Sequence, residues 1–258
     1  MESPEASRRP SIKSPRELEA MRQAGQVVAR MIAAITRAVE PGMTTQDLND
    51  VAVQELSKHD AKPAFLGYLG FPATICTSVN EEIVHGIPGS RVLKEGDLVK
   101  CDVGAIVDGL HGDAAVTLPV GKVSDEALKL IEATRESLNE AIAQVRAGAR
   151  LGDIGEAVQK YAEGRGYGVV REYVGHGIGR RLHEEPQVPN YGVAGRGQML
   201  RAGMAIAIEP MLNVGTWRTR TLEDGWTVVT ADGRLSAHFE HTMAVGEDGA
   251  EVMTRLRE

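Results

Sequence analysis

Aspartates stand on both arms of a run that reads as a β-hairpin, Cys101-Asp102-Val103-Gly104-Ala105-Ile106-Val107-Asp108-Gly109-Leu110-His111-Gly112-Asp113. Asp108-Gly109 is a strong signal for a two-residue turn. With that pair at the tip, Val107 faces Leu110, Ile106 faces His111, Gly104 faces Asp113 and Asp102 faces Ala115. Asp113 and Ala115 share a face, so Asp102 and Asp113 are expected as diagonal neighbours, roughly 7–8 Å apart along the backbone. Two acids on an otherwise apolar pair of strands repel each other and lose hydration, and a divalent cation is the usual counter-charge. Asp108, at the tip, reads as a turn residue only. For Asp102 taken alone, a surface role stands equally open.

Further acids and histidines strengthen the metal reading. Met204–Pro210 reads as a strand that ends on Glu209, and a second hairpin is expected from Thr227–Thr230, a turn at Asp232-Gly233, and a return strand Leu235–Val245. In that return strand Glu240 would share a face with Ser236, His238 and Thr242. His176 lies in the run Val174-Gly175-His176-Gly177-Ile178-Gly179, where glycines permit close backbone approach. Asp102, Asp113, His176, Glu209 and Glu240 together describe a hard, carboxylate-rich centre. Four carboxylates overbalance one divalent ion, whereas two ions match them. Such paired ions lie roughly 3.5–4 Å apart, lower the pKa of a bridging water and polarise a carbonyl. That chemistry is hydrolysis of an amide or a phosphate ester. His85, before Gly86-Ile87-Pro88, and His183, before Glu184-Glu185-Pro186, add donors for a carbonyl oxygen or a leaving nitrogen. Phosphate chemistry would call for an Arg or Lys clamp. Arg180 and Arg181 are near, but no glycine-rich phosphate cradle is present.

The elements that must position these residues come in two similar sets. Ser14-Pro15-Arg16-Glu17 is a capping box with proline at the first helical position. Leu18, Met21, Gly25, Val28, Ile32, Ile35 and Val39 then recur at helical spacing, up to Pro41-Gly42. Thr44 or Thr45 caps a second helix carried by Leu48, Val51, Ala52 and Leu56, and Lys62–Pro88 reads as loop and strand. The plan repeats with a long helix opened by Ser124, running through Val145 to Gly148, and a shorter one through Ile154, Val158 and Tyr161. An offset of 106 residues lays Val39 on Val145, Gly42 on Gly148, Asp47 on Asp153 and Leu48 on Ile154. Two such halves would pack with helices outside and strands within, and a site at the midline would draw on both.

Composition narrows the class. A chain of 258 residues with 36 acidic and 29 basic side chains carries a net charge of −7. No basic stripe is present, which argues against DNA or another polyanion as partner. No apolar run is long enough to span a membrane, and the polar start lacks a signal-peptide core. Cys76 and Cys101 cannot build a disulfide framework, so a reduced, cytoplasmic setting is expected. Residues 1–12 read as an N-terminal arm and 13–258 as one catalytic domain.

The segments CDVGAIVDGLHGDAAVT, GHGIGRRLHEEPQVPNYG, AIAIEPML, DGWTVVT and SAHFEHTMAV resemble those of the type I methionine aminopeptidases of the bacterial sort, over about Ser11 to Val245. The resemblance implies an α+β pita-bread fold, with pseudo-twofold halves that each carry two outer helices and inner antiparallel strands. It implies removal of the initiator methionine from new chains whose second residue is small, by attack of a metal-bridged water on the first peptide carbonyl. Asp102, Asp113, His176, Glu209 and Glu240 match the five metal ligands. Asp113 and Glu240 match the two that bridge the family's pair of divalent ions (Co, Mn, Fe or Zn, with Fe(II) or Mn(II) favoured). His176 and Glu209 match the ligands of one ion, and Asp102 the terminal ligand of the other. Glu209 also matches the general base, His85 the residue on the scissile amide nitrogen, and His183 the one that stabilises the carbonyl oxygen. Some relatives hold a monovalent cation near the positions of Asn80 and Ser236. The methionine pocket is implied to be walled by Phe65, Tyr68, Phe71, Cys76, Leu182 and Trp226. Leu182 stands where relatives often carry an aromatic, which alters the pocket's shape. A monomer acting on nascent peptides, with a transient ribosome contact, is expected. The zinc-binding extension of eukaryotic enzymes and the insertion of type II enzymes are not. Two alternatives keep the fold: an Xaa-Pro peptidase, whose usual extra N-terminal domain 258 residues cannot hold, and a non-catalytic RNA- or ribosome-binding relative, which would lose ligands and gain basic patches.

Overall fold

The computed structural model describes residues 10–257, so most of the expected N-terminal arm lies outside the described residues. Helix α1 (Pro15–Ala38) opens on the expected box, with the Ser14 hydroxyl accepting from Glu17 N and the Glu17 carboxylate accepting from Ser14 N. Helix α2 (Thr45–Leu56) is capped by Thr44 in the same way, through Asp47. Helix α3 (Asp125–Ile142) is capped by Ser124. It stops short of the expected Val145, because residues 143–149 leave the helix in tight turns before Gly148 adopts a positive φ. Helix α4 (Leu151–Glu163) follows.

The strands fall into four small sheets. The first joins β1 (Lys62–Pro63), β2 (Ile75–Val79), β4 (Leu98–Val107) and β5 (Leu110–Pro119), in the order β1-β4-β2 with β5 on β4. The β4–β5 hairpin has the expected register, including Val107 with Leu110, Gly104 with Asp113 and Asp102 with Ala115. Its tip, Asp108-Gly109, has both residues at positive φ, which matches the right-handed twist of the flanking strands. A second sheet runs β15 (Ala250–Val252), β14 (His241–Val245), β9 (Ala205–Ile208), β7 (Gly175–Gly177) and β8 (Glu184–Val188). Two three-stranded sheets complete the set: β13 (Ser236–His238) with β10 (Met211–Asn213) and β6 (Gly168–Val169), and β11 (Thr219–Thr221) with β12 (Val228–Thr230) and β3 (Glu82–Val84).

The expected hairpin across Asp232-Gly233 does not form. Strand β12 pairs with β11 and β3, and the run after Leu235 breaks at Phe239-Glu240 into β13 and β14, which join different sheets. The break serves the midline. Segment 238–242 lies beside β5, where Glu240 N donates to Ala115 O at 3.0 Å and Asp113 N to the Thr242 hydroxyl at 2.9 Å. Those bonds stitch the second half of the chain to the first at the two acids.

The internal repeat is visible in individual hydrogen bonds. Gly42 N donates to Leu93 O, and Gly148 N to Leu200 O; Thr45 N donates to Arg91 O, and Leu151 N to Gln198 O. Both helix pairs lie outside the sheets and bury apolar stripes. One core joins α1 and α2 to β2, β4 and β5 through Val28, Met31, Ile35, Leu48, Val99 and Val103. Another joins α3 and α4 to β9, β13 and β14 through Leu130, Leu138, Ile154, Ile206 and Met243.

Helix α1 is further held by the C-terminal segment. A Cβ on Gly25 would lie 2.4 Å from the Met253 carbonyl oxygen. Alanine would gain up to about 1 kcal/mol of helix propensity but would force two backbones apart, an overpacking cost of about 1–3 kcal/mol or more. The clash is with backbone rather than a flexible side chain, so the steric term wins. Gly25→Ala is therefore expected to lower the thermal midpoint by about 5 °C, on the usual scaling for a chain of this size. A melting curve unchanged or shifted upward would contradict this packing.

Candidate active site

The expected residues converge on one cavity of about 130 Å³, lined by Phe65, Tyr68, Leu69, Phe71, Cys76, His85, Asp102, Asp113, His176, Leu182, His183, Glu209, Trp226 and Glu240. Asp102 comes from β4, Asp113 from β5 and His176 from β7, while Glu209 follows β9 and Glu240 sits at the break between β13 and β14. Both halves contribute, as a midline site requires. Ligand atoms of Asp113, His176 and Glu240, all three buried, lie within 4.8 Å of one another. His176 Nε2 is 3.8 Å from Asp113 Oδ2 and 3.6 Å from Glu209 Oε1. Its Nδ1 lies 2.9 Å from Gly177 O; donating there leaves the Nε2 lone pair aimed among the acids, the usual state of a metal-binding imidazole.

The electrostatics are those of a cluster lacking its counter-charge. Burial raises the pKa of all four carboxyls, Asp102 to about 7, and repulsion from neighbouring acids pushes Asp113, Glu209 and Glu240 further. Burial also pushes His176 down to about 3 and His85 to about 4, so both rings are neutral at physiological pH. Asp102 Oδ1, Asp113 Oδ1 and Glu240 Oε1 are buried without hydrogen-bond partners. Orphaned carboxylate oxygens are costly, and oxygen-rich donors with one imidazole suit divalent cations. The residues present therefore fit a divalent metal centre.

The histidines around this cluster are held by contacts a sequence cannot show. His183 Nδ1 is 2.7 Å from the Tyr68 hydroxyl, and the His183 ring packs edge-on against His176 at 4.3 Å between centroids. With the Tyr68 hydroxyl donating to Nδ1, the neutral ring carries its proton on Nε2. His85 adopts φ 61°, an uncommon backbone for a residue with a side chain. Its ring meets Tyr173 at 5.6 Å and Trp226 at 6.5 Å between centroids, both nearly perpendicular. Strained backbone of this kind gathers at functional sites. Phe71 and Trp226 form an edge-to-face pair at 5.1 Å, giving the apolar end a firm wall.

The His183 loop is also tied to the N-terminal segment. Ser11 and Lys13 side chains donate to Glu184, Lys13 Nζ at 2.9 Å in a buried ion pair, which ties both residues to the segment that carries His183. Asn80 and Ser236 lie off the cavity. Their carbonyl oxygens, at the positions near which a monovalent cation was expected, accept from Lys100 Nζ at 2.7 and 3.2 Å. Two residues at or beside the cavity drew no site role from the sequence. Leu69 is exposed at the rim, with no sequence signal to mark it. His238 is buried, with Nε2 3.9 Å from Glu209 and 4.0 Å from Glu240 and neither ring nitrogen hydrogen-bonded. Its spacing two residues before Glu240 was the available clue.

Comparison with known proteins agrees with this geometry. A model of metallopeptidase family M24 matches residues 19–247. Methionine aminopeptidase 1 of Bacillus subtilis is 50% identical over 244 residues, covering 95% of this chain and 98% of that protein. The crystal structure of methionine aminopeptidase from Thermotoga maritima superposes with a TM-score of 0.94 at 48% identity, covering 96% of this chain and all of that one. The prolidase from Pyrococcus furiosus shares the fold alone, with a TM-score of 0.77 at 21% identity, and this chain covers 66% of it. The fold is the pita-bread fold expected from the sequence. Among the described residues, no helix is long and apolar enough to cross a membrane.

Proposed function

The chain belongs to metallopeptidase family M24, and we propose that it is a methionine aminopeptidase working with two divalent ions to remove N-terminal methionine when the next residue is small. The observation that carries this reading is the convergence of four buried carboxylates and a correctly presented imidazole beside an aromatic-walled pocket. Asp102, Asp113, His176, Glu209 and Glu240 would hold the ions, Asp113 and Glu240 being shared between them. Bound there, the ions supply Lewis-acid polarisation and a water of lowered pKa.

The chain's own groups do the rest. Phe65, Phe71, Cys76, Leu182 and Trp226 enclose the thioether side chain, and Tyr68 closes the pocket near His183. Glu209, whose pKa burial raises, takes a proton from the attacking water and passes it towards the departing amine. His183 donates from Nε2 to the scissile carbonyl oxygen as negative charge builds on it. His85 donates to the amide nitrogen and fixes its orientation. Exclusion of bulk water strengthens each of these interactions.

The reading is tested by assaying methionine release from Met-Ala-Ser after chelation and re-addition of Mn(II), Fe(II) or Co(II), with Ala-Pro dipeptides in parallel. Turnover of Met-Ala-Ser alone is expected. Turnover of Ala-Pro in preference, or of neither with any ion, would reject it.

Metal removal should also appear in stability. The buried carboxyls keep their protons to higher pH in the folded metal-free protein than in the unfolded chain. Above about pH 7.5 histidines are largely neutral in both states. The folded state then binds the extra protons, so metal-free stability falls as pH rises. The chelated protein is expected to lose several degrees of melting temperature between about pH 7.5 and 9. Mn(II) should restore most at the upper end, with proton release on binding. A chelated protein whose midpoint rose across that range would contradict the assignment of these acids.

A further inference from the structure

Leu182 and His183, a pocket wall and the proposed carbonyl donor, sit in residues 178–183, the irregular link between β7 and β8. Neither lies in a helix or strand, so contacts from elsewhere must fix the link. Those contacts come from the segment just ahead of α1. Glu184 follows His183 directly, and its side chain is buried. Lys13 Nζ donates to Glu184 Oε2 at 2.9 Å, and the Ser11 hydroxyl donates to the same oxygen at 2.6 Å. Lys13 Nζ also donates to the Ser11 hydroxyl. The other carboxylate oxygen, Oε1, accepts from Arg181 N at 3.1 Å, which closes the link on itself. Burial would raise the Glu184 pKa, but the bonds from Ser11 and Lys13 outweigh it and hold the carboxyl down at about 2.

The lysine is itself anchored. Its backbone N–H donates to Gly203 O at 2.8 Å, and the next residue, Ser14, caps α1. Its side chain is buried and crosses Gly179 so closely that a Cβ there would overlap the lysine stem. Gly179 O is held in turn by His111 of β5, whose N–H donates to it at 2.8 Å. The link is thus gripped between β5 and the start of α1. Arg180 also pairs with Glu17, but Arg180 is largely exposed, and exposed pairs contribute little. A buried pair is different, because losing one partner strands the other charge away from water. Among the described residues, Lys13 is the one cation paired with Glu184.

We propose that Lys13 is a positioning residue for the peptidase reaction: its ammonium, with the Ser11 hydroxyl, clamps Glu184 and so fixes where His183 and Leu182 stand at the cavity. The claim rests on the function proposed above, since the place of His183 matters to the rate through the scissile carbonyl. A reacting group misplaced by about 1 Å costs up to about 10²-fold in rate, even when the change lies away from the chemistry. Among the described residues, no hydrogen bond or ion pair joins Ser11, Lys13 or Glu184 to the five proposed metal ligands. Loosening the clamp therefore moves the carbonyl donor and leaves the ions in place.

Lys13→Met keeps the stem and removes the charge. On Mn(II)-loaded protein acting on Met-Ala-Ser, its kcat is expected to fall about 10-fold with wild-type metal content. Repeating the change in a His183→Ala background completes a double-mutant cycle, in which the loss is expected to shrink to within about 2-fold. A lysine that merely supported the fold would cost the same in both backgrounds. Hydrogen exchange read by mass spectrometry needs no substrate. Amides of residues 178–184 are expected to exchange about 10-fold faster in Lys13→Met, while β9 and β14 keep their wild-type protection. Wild-type protein that binds Mn(II) but releases no methionine would reject the peptidase reading, and exchange then judges the clamp by itself. Ser11→Ala removes one donor to Glu184 and is expected to give the same pattern at about 3-fold; it takes the place of Lys13→Met should that variant not fold. A wild-type kcat, a loss of equal size in both backgrounds, or unchanged exchange across residues 178–184 would overturn the proposal.

Discussion

Asp102→Asn protein is expected to release methionine from Met-Ala-Ser at least about 10³-fold more slowly than wild type, a loss of about 4 kcal/mol of transition-state stabilisation, and to bind one Mn(II) where wild type binds two. Asparagine keeps the shape of the side chain but replaces an anionic oxygen with a neutral one, and neutral amides are poorer ligands for hard cations. Asp102 is buried, with Oδ1 left without a hydrogen-bond partner, and it is the proposed terminal ligand of one ion. No other carboxylate in the cavity is free to take that place, because Asp113 and Glu240 would already serve both ions. The same change should make the chelated protein more stable at neutral pH, since an acid that burial drives to a pKa of about 7 is a liability without its metal. Metal analysis, peptide assay and melting curves together check the claim. Two ions bound to an active Asp102→Asn protein would remove Asp102 from the centre.

His183→Ala is expected to do the opposite to metal content and nearly the same to rate. Removing one preorganised donor to a developing oxyanion typically costs about 10²–10³ in kcat. His183 is held by the Tyr68 hydroxyl at 2.7 Å and by the His176 ring, and it is not among the grouped ligand atoms of Asp113, His176 and Glu240. The variant should therefore bind both ions with wild-type stoichiometry and melt within a degree or two of wild type, on the ordinary scale for partly exposed positions. A fall in metal content would show that His183 supports the ions rather than the carbonyl. A rate within about 2-fold of wild type would show that the carbonyl is stabilised by other groups.

Where the sequence was informative, local chemistry decided the structure. Asp108-Gly109 requires positive φ at two successive residues, and that single need sets the turn, the register and hence the facing of Asp102 and Asp113. The Ser14 and Thr44 boxes likewise settle two helix starts within a few residues. The repeat was legible because Gly42 and Gly148 answer the same backbone need in each half.

What escaped the sequence depended on partners far along the chain. Leu235–Val245 alternates like one strand, yet the pull of β10 on Ser236–His238 and of β9 on His241–Val245 splits it at Glu240. Nothing within the segment announces that break. Lys100 drew no reading from the sequence, because the carbonyls that receive its buried side chain come from Asn80 and Ser236, far along the chain. His238 was read only as a neighbour of Glu240 on one face. Its approach to Glu209 arises because β13 pairs with β10, which sets His238 opposite Met211, two residues after Glu209. The family resemblance named the cavity residues, and the physics of burial explains why those residues are costly to assemble without their ions.

The central claim is that these buried acids are balanced by two divalent cations, and anomalous diffraction from crystals grown with Mn(II) tests it most directly. Data collected on either side of the manganese edge are expected to show two peaks about 3.5–4 Å apart, one bounded by His176 and Glu209, the other by Asp102, with Asp113 and Glu240 touching both. Crystals in which that cavity holds no anomalous scatterer, or in which manganese sits elsewhere while the five side chains pair among themselves, would contradict it.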